Sequence, residues 1–288
     1  MLNDEHIKVV YYEQNSSKIF SNVGISGGIV ILYRDKNIKF GAIQFFTSFK
    51  ELNRISQLVN SIHEPILRHN TSVMSGRGVY RLTSKLHEDF PQIKEMQSKG
   101  HKNDIGTGAF DKFNNIIFFE ETPNDGNTYI LIKGRFKNSR TQRYIRSDYV
   151  NKPFAYNKWR VILPKAYGTG ISKNGPAATM IGSPLVIGPY VGFTETYVSI
   201  GNFDNEYEAN NALKYIKSKF ARTMLGVLKI TQDNTKDKWQ KVPLQDFTSN
   251  SDIDWKKSIP EIDQQLYKKY ALDQDEIDFI ENKVKPMA

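Results

Sequence analysis

Residues 133–167 read KGRFKNSRTQRYIRSDYVNKPFAYNKWRVILPKAY. The stretch holds ten Lys/Arg residues and a single acid, Asp148, interleaved with Phe136, Tyr144, Tyr149, Phe154, Tyr156, Trp159 and Tyr167. Aromatic side chains gain much by packing, so they hold the charges on an ordered surface and not in a solvated tail. Thr141 to Tyr144 and Trp159 to Leu163 read as strands. The stretch therefore predicts a twisted antiparallel sheet, with its loops, that presents dense, fixed positive charge. Such a surface suits a polyanion, because each cation that neutralises a phosphate releases a condensed counterion. The candidate DNA-contacting residues here are Arg135, Lys137, Arg140, Arg143, Arg146, Lys158, Arg160 and Lys165. Arg77 and Lys173 join them from two flanking glycine-containing loops. On a strand, Arg140 and Arg146 share one face and Arg143 takes the other. Trp159 is expected in the core.

The basicity is local. Formal net charge is +9, and residues 251–288 carry nine acids against six lysines, a net of −3 that leaves +12 on the remainder. Asymmetry of that kind favours a polyanionic partner. A hydrophobic fraction of 39% argues for a packed core and against disorder. The chain has no cysteine, which excludes a disulfide framework and thiolate metal sites, and its five histidines lack close ligand spacing. No apolar run reaches membrane-spanning length and MLNDEHIKVV is no secretory signal, so the expected location is cytoplasmic, away from membranes.

Outward from the basic stretch, Ile7 to Tyr12, Ile29 to Tyr33 and Phe40 to Phe46 read as buried strands, the second opened by Gly27-Gly28. Ser48 and Glu51 have capping-box spacing before the amphipathic run Leu52, Ile55, Leu58, Val59, Ile62. Pro123-Asn124-Asp125-Gly126 predicts a hairpin between Ile116–Phe119 and Tyr129–Ile132. Residues 166–192 are glycine-rich and sparsely charged, a plausible groove-reading loop. Asn205 and Glu208 start a long helix through Phe220, with Lys214, Lys217, Lys219 and Arg222 on its other face. Ser258/Glu261 and Asp273/Glu276 start two more helices, an acidic hairpin. The expected fold is α+β in three parts: strands over 1–46, a β-rich recognition domain with long helices over 47–250, and a helical hairpin over 251–288.

Catalytic chemistry is hard to find. The eleven prolines are never adjacent, so no Asn/Asp-Pro-Pro-aromatic tetrapeptide exists. No glycine turn follows a strand with an acid at the next strand end, as a nucleotide-type cofactor site needs. Glu281-Asn282-Lys283 is the one compact acid–lysine group, and it lacks the upstream acid that a metal-dependent nuclease requires.

The segment KIFSNVGISGGIVILYRDK from Lys18 resembles the end of the catalytic domain of type II N6-adenine DNA methyltransferases and fused restriction–modification polypeptides. SGRGVYRLT from Ser75, GHKNDIGT from Gly100, FEETPNDG from Phe119 and KWRVILPKAYGTG from Lys158 resemble their C-terminal target-recognition region. So do GFTETYVSIG from Gly192, YIKSKFARTMLGVLKITQDN from Tyr215, WQKVPLQDFTSNSDIDW from Trp239 and SIPEIDQQLYKKYAL from Ser258. The resemblance implies sequence-specific recognition of double-stranded DNA by the specificity part of such an enzyme. It implies that residues 1–46 are a remnant of the catalytic sheet. The missing catalytic domain of the same polypeptide would hold S-adenosylmethionine, and this chain alone would hold no cofactor and be inactive. An RNA-binding or assembly module is the alternative of a different class, and an active nuclease is a second.

Overall fold

Two apolar runs open the chain as an antiparallel pair, β1 (Ile7–Glu13) and β2 (Ile29–Arg34), with Ile7 opposite Arg34 and a bulge between Val9 and Tyr11. The computed structural model describes residues 3–13, 15–21, 29–43, 46–62, 65, 73–75, 79–168, 170–172 and 175–287. They form a mixed α+β protein of two units, Met1–Gln57 and Leu58–Ala288. In the first unit the pair is left with Val10, Tyr11, Val30, Ile31 and Tyr33 exposed. Among the described residues the third expected strand does not form: residues 40–43 and 46 are irregular, and Phe40 N–H donates to the Glu5 carbonyl (2.7 Å). Gly27-Gly28 lies outside the described residues. Helix α1 (Lys50–Ser61) buries Leu52, Ile55 and Val59 at helical spacing. At its start Thr47 N–H donates to Asn53 Oδ1 (2.9 Å) and Asn53 Nδ2 to the Thr47 carbonyl (2.9 Å).

The second unit begins with β3 (Val73–Ser75), β4 (Arg81–Leu82), α2 (Ser84–Asp89), α3 (Pro91–Met96) and α4 (Ala109–Phe113). Its centre is the hairpin β5 (Tyr129–Phe136) and β6 (Ser139–Arg146). Then come β7 (Val150–Asn151), β8 (Trp159–Pro164), β9 (Leu185–Ile187), β10 (Val191–Phe193) and β11 (Tyr197–Phe203). One sheet has the order β10-β5-β6, with β10 parallel to β5; a second has the order β3-β11-β8-β9. The core packs Phe110, Phe113, Phe118, Ile130, Ile132, Ile145, Ile162 and Phe193 together. Gly134 on β5 is required there: a Cβ would sit 2.6 Å from the Phe110 ring.

Ile116 to Phe119 is not a strand. The chain turns there, Asn115 at φ +56°, and Phe119 pairs with Tyr144 of β6. The hairpin turn is instead Lys137-Asn138, both at positive φ (46° and 65°), the type I′ geometry that matches strand twist.

Helix α5 (Glu206–Lys217) packs on β8, β9 and β11. The expected long helix breaks at Ser218, because Asp263 accepts from Lys219 N–H (3.0 Å) and Phe220 N–H (2.9 Å) and so starts a new helix, α6 (Lys219–Gly226). Arg222, expected on a solvent face, is buried (1% exposed). Helices α7 (Ile259–Lys269) and α8 (Gln274–Lys283) both begin with the expected capping boxes. They pack on α6, and α7 also on α5, within the second unit.

Candidate nucleic-acid interface

Strand alternation sorts the basic residues of the hairpin. Ile130, Ile132 and Gly134 of β5 face the core, so Lys133 and Arg135 take the other face. Register puts Arg140 opposite Arg135 and Gln142 opposite Lys133, whose ammonium donates to Gln142 Oε1 (2.7 Å). Arg135 and Arg140 are thus a like-charge cross-strand pair, an arrangement that costs stability. Neither has a carboxylate partner among the described residues. The Arg140 guanidinium passes over Gly182, where a Cβ would stand 3.1 Å from its Nη2. Lys137 lies in the turn, exposed, its backbone N–H held by Asp111 (2.8 Å).

Beside this face lies a cleft of about 440 Å³, walled by Arg135, Asn138 and Arg140 from the hairpin, Pro164, Lys165 and Ala166 after β8, and Thr107, Glu195, Thr196 and Asp233. A neighbouring depression, lined by Lys133, Arg140, Thr141, Gln142, Leu185 and Tyr197, extends it past Arg140. The walls are pinned by backbone bonds: Lys165 N–H to the Thr196 carbonyl (2.9 Å), Glu195 N–H to Ile105 (3.0 Å), and Asn234 N–H to Lys165 (2.7 Å).

The other expected contacts are placed differently. Arg143 points to the opposite face from Arg140, as alternation requires; it is buried (6%), paired with Glu120 (2.7 Å) and stacked on Phe136. Arg146 shares the face of Arg140 but forks onto Asp148 (3.0 and 2.6 Å), lies near Asp89 and covers the Tyr149 ring. That pairing holds the Asp148 carboxyl below its ordinary range. Lys158 is paired with Asp204. Arg160 is a correction: it is fully buried and cannot reach a ligand on the surface. Its strand β8 lies inside the four-stranded sheet under α5, and the guanidinium donates to Tyr80 Oη (2.6 Å) and the Val191 carbonyl (2.7 Å). Burial pushes the Tyr80 phenol up even beside that cation. Trp159 is only half-buried at the start of β8; Trp239 and Trp255 are the core tryptophans. Arg77 and Lys173 lie outside the described residues.

Of the glycine-rich loop, Gly170 is closed off, since a Cβ there would be 1.7 Å from the Lys229 carbonyl oxygen. Tyr167 N–H is bonded to Gln232 (2.9 Å), so this part of the loop serves packing. Lys229, also buried, donates to the Gln232 and Asp233 carbonyls, and burial lowers its ammonium to about 8.

Sequence reasoning missed Asn138, Glu195 and Asp233 as cleft residues. One signal was available: Glu195 is the sole acid between Asp148 and Asp204. Among the described residues no group of three or more His, Asp or Glu is arranged to hold a metal ion, and no helix is long and apolar enough to cross a membrane. A comparison with protein-family models finds no match for the chain, nor does a comparison with curated proteins.

Proposed function

We propose that the second unit recognises double-stranded DNA and is the specificity part of an adenine-N6 DNA methyltransferase or fused restriction–modification enzyme. One observation carries the proposal. Arg135 faces Arg140 across the hairpin, Lys133 and Lys165 stand in the adjoining walls, and none of the four has a carboxylate partner among the described residues. Phosphates relieve that repulsion and fix register, while the cleft beside them admits base edges. The family resemblance adds support, because two of the segments that carry it, 158–170 and 192–201, meet at this cleft through Lys165, Glu195 and Thr196.

The first unit is read as strands of the catalytic-domain sheet. The exposed Val10, Tyr11, Val30, Ile31 and Tyr33 support this, since a strand pair with apolar side chains exposed on both faces wants cover on both. S-adenosylmethionine, implied for the full-length enzyme, does not fit the described residues. Among the described residues of the glycine-rich loop 166–192, Gly170 is filled by the Lys229 carbonyl, and the element that follows is β9, with no helix N-terminus to receive a charged group. The chain alone is therefore expected to transfer no methyl group.

Anisotropy of a labelled duplex of about 25 base pairs, with single-stranded RNA as competitor, tests the reading. Tight duplex binding at low salt that resists RNA supports it. Preference for the RNA sinks it and favours the RNA-binding alternative, for which the exposed Phe154 (70%) and Tyr190 (66%) are the aromatic surfaces on which unpaired bases stack.

A further inference from the structure

Two polar atoms in the walls of the cleft are cut off from solvent and have no hydrogen-bond partner: the Arg135 Nε–H and Glu195 Oε1. They have opposite roles, a donor and an acceptor, yet neither satisfies the other. An unmet buried polar atom costs about 1–3 kcal/mol, so a side-chain rotation that turns either group into the cleft toward an external partner is favoured.

The carboxylate decides what that group is. Phosphate suits Arg135 and Arg140 but is repelled by Glu195 and Asp233. Duplex DNA has no donor on its phosphates or deoxyriboses. In the major groove its only donors are the amino groups cytosine N4 and adenine N6. A carboxylate in a DNA-binding cleft is therefore matched to a base edge. Of the two bases, cytosine pairs with guanine, whose O6 and N7 accept together from one arginine. A donor and an acceptor in one cleft thus fit both halves of a single pair.

Building on the duplex-DNA reading above, we propose that this cleft reads one cytosine–guanine pair by its major-groove edge. Glu195 accepts from cytosine N4 and Arg135 donates to guanine O6 and N7. Arg140 and Lys165, beside them, hold the flanking phosphates and carry no sequence information. Backbone bonds aim the two readers: Glu195 N–H is tied to Ile105, and Arg135 is held by the hairpin register.

The test is selection of binding sites by the whole chain from a randomised duplex pool, repeated with Glu195→Ala and Arg135→Ala. The expected site holds a cytosine–guanine pair whose preference drops about 5- to 100-fold in both variants, at that position alone. A second measurement removes the donor from the DNA. A 2-pyrimidinone in place of that cytosine weakens binding by the unaltered chain and leaves Glu195→Ala indifferent. If one variant does not fold, the other and the base analogue still decide. A selected site whose preferences neither variant changes overturns this assignment alone. Failure to bind any duplex at low salt overturns it together with the DNA reading.

Discussion

Arg135, Arg140 and Arg146 share a face, yet their surroundings divide them. Arg146 is neutralised by Asp148 and Asp89 and shields Tyr149, whereas Arg135 and Arg140 repel one another. Substituting Ala for Arg140 is expected to lower duplex affinity by about tenfold and the salt slope by about 1, whereas Arg135→Ala should cost about 1–3 kcal/mol of binding and relax the sequence preference. The melting temperature should hold or rise, because like charges are separated. Arg146→Ala is expected to do the reverse, losing melting temperature with duplex affinity intact. Anisotropy and thermal melting on the three variants distinguish these outcomes. Among the tryptophans, Trp239→Ala is expected to cost about 3–5 kcal/mol in urea unfolding, and Trp159→Ala clearly less, since Trp159 keeps part of its ring in water.

At the level of elements, the hairpin turn and the α5–α6 break carry the interface and the stability. Asn138 tolerates positive φ, and a β-branched residue does not. Asn138→Val is expected to destabilise the chain by about 1–2 kcal/mol, and Asn138→Gly to be neutral or stabilising, measured by urea titration. At the break, Asp263 is buried with Arg222. Burial pushes the Asp263 carboxyl up to about 6 and the Arg222 guanidinium down to about 10, so desolvation outweighs their attraction. Because the folded pKa of Asp263 lies above the unfolded 3.8, its contribution is fully present below pH 4 and is lost as pH rises through 6. The loss is on the order of 3 kcal/mol. Asp263→Asn removes that dependence: the stability difference between the two proteins should shrink from pH 4 to pH 7. A difference that stays constant across the window would show that Asp263 does not titrate there.

For the whole molecule, charge sets the range and salt dependence of association. With +12 outside the acidic 251–288 segment and about six phosphates neutralised, log K against log salt is expected to fall with a slope near −5. A flat dependence sinks the electrostatic reading. The acidic segment itself is no separate arm. Its helices pack on α6, and Lys219 is paired with Glu281 of α8 (2.5 Å).

The α+β class, the helix starts at Asn205, Ser258 and Asp273, and the strand character of 129–132 and 141–144 were legible in the sequence, because capping and alternation act within a few residues of chain; the hairpin turn, expected at Pro123–Gly126, was not. Strand parity alone put Arg143 on the opposite face from Arg140 and Arg146. Which cations stay free was decided only by the tertiary structure, because neutralising or burying a charge depends on partners far along the chain. Glu120 takes Arg143, Asp89 and Asp148 take Arg146, and β8, placed inside a sheet, buries Arg160 against Tyr80. The cleft belongs to the tertiary structure for the same reason, since residues 107, 135, 165, 195 and 233 become neighbours only when both sheets close on the core.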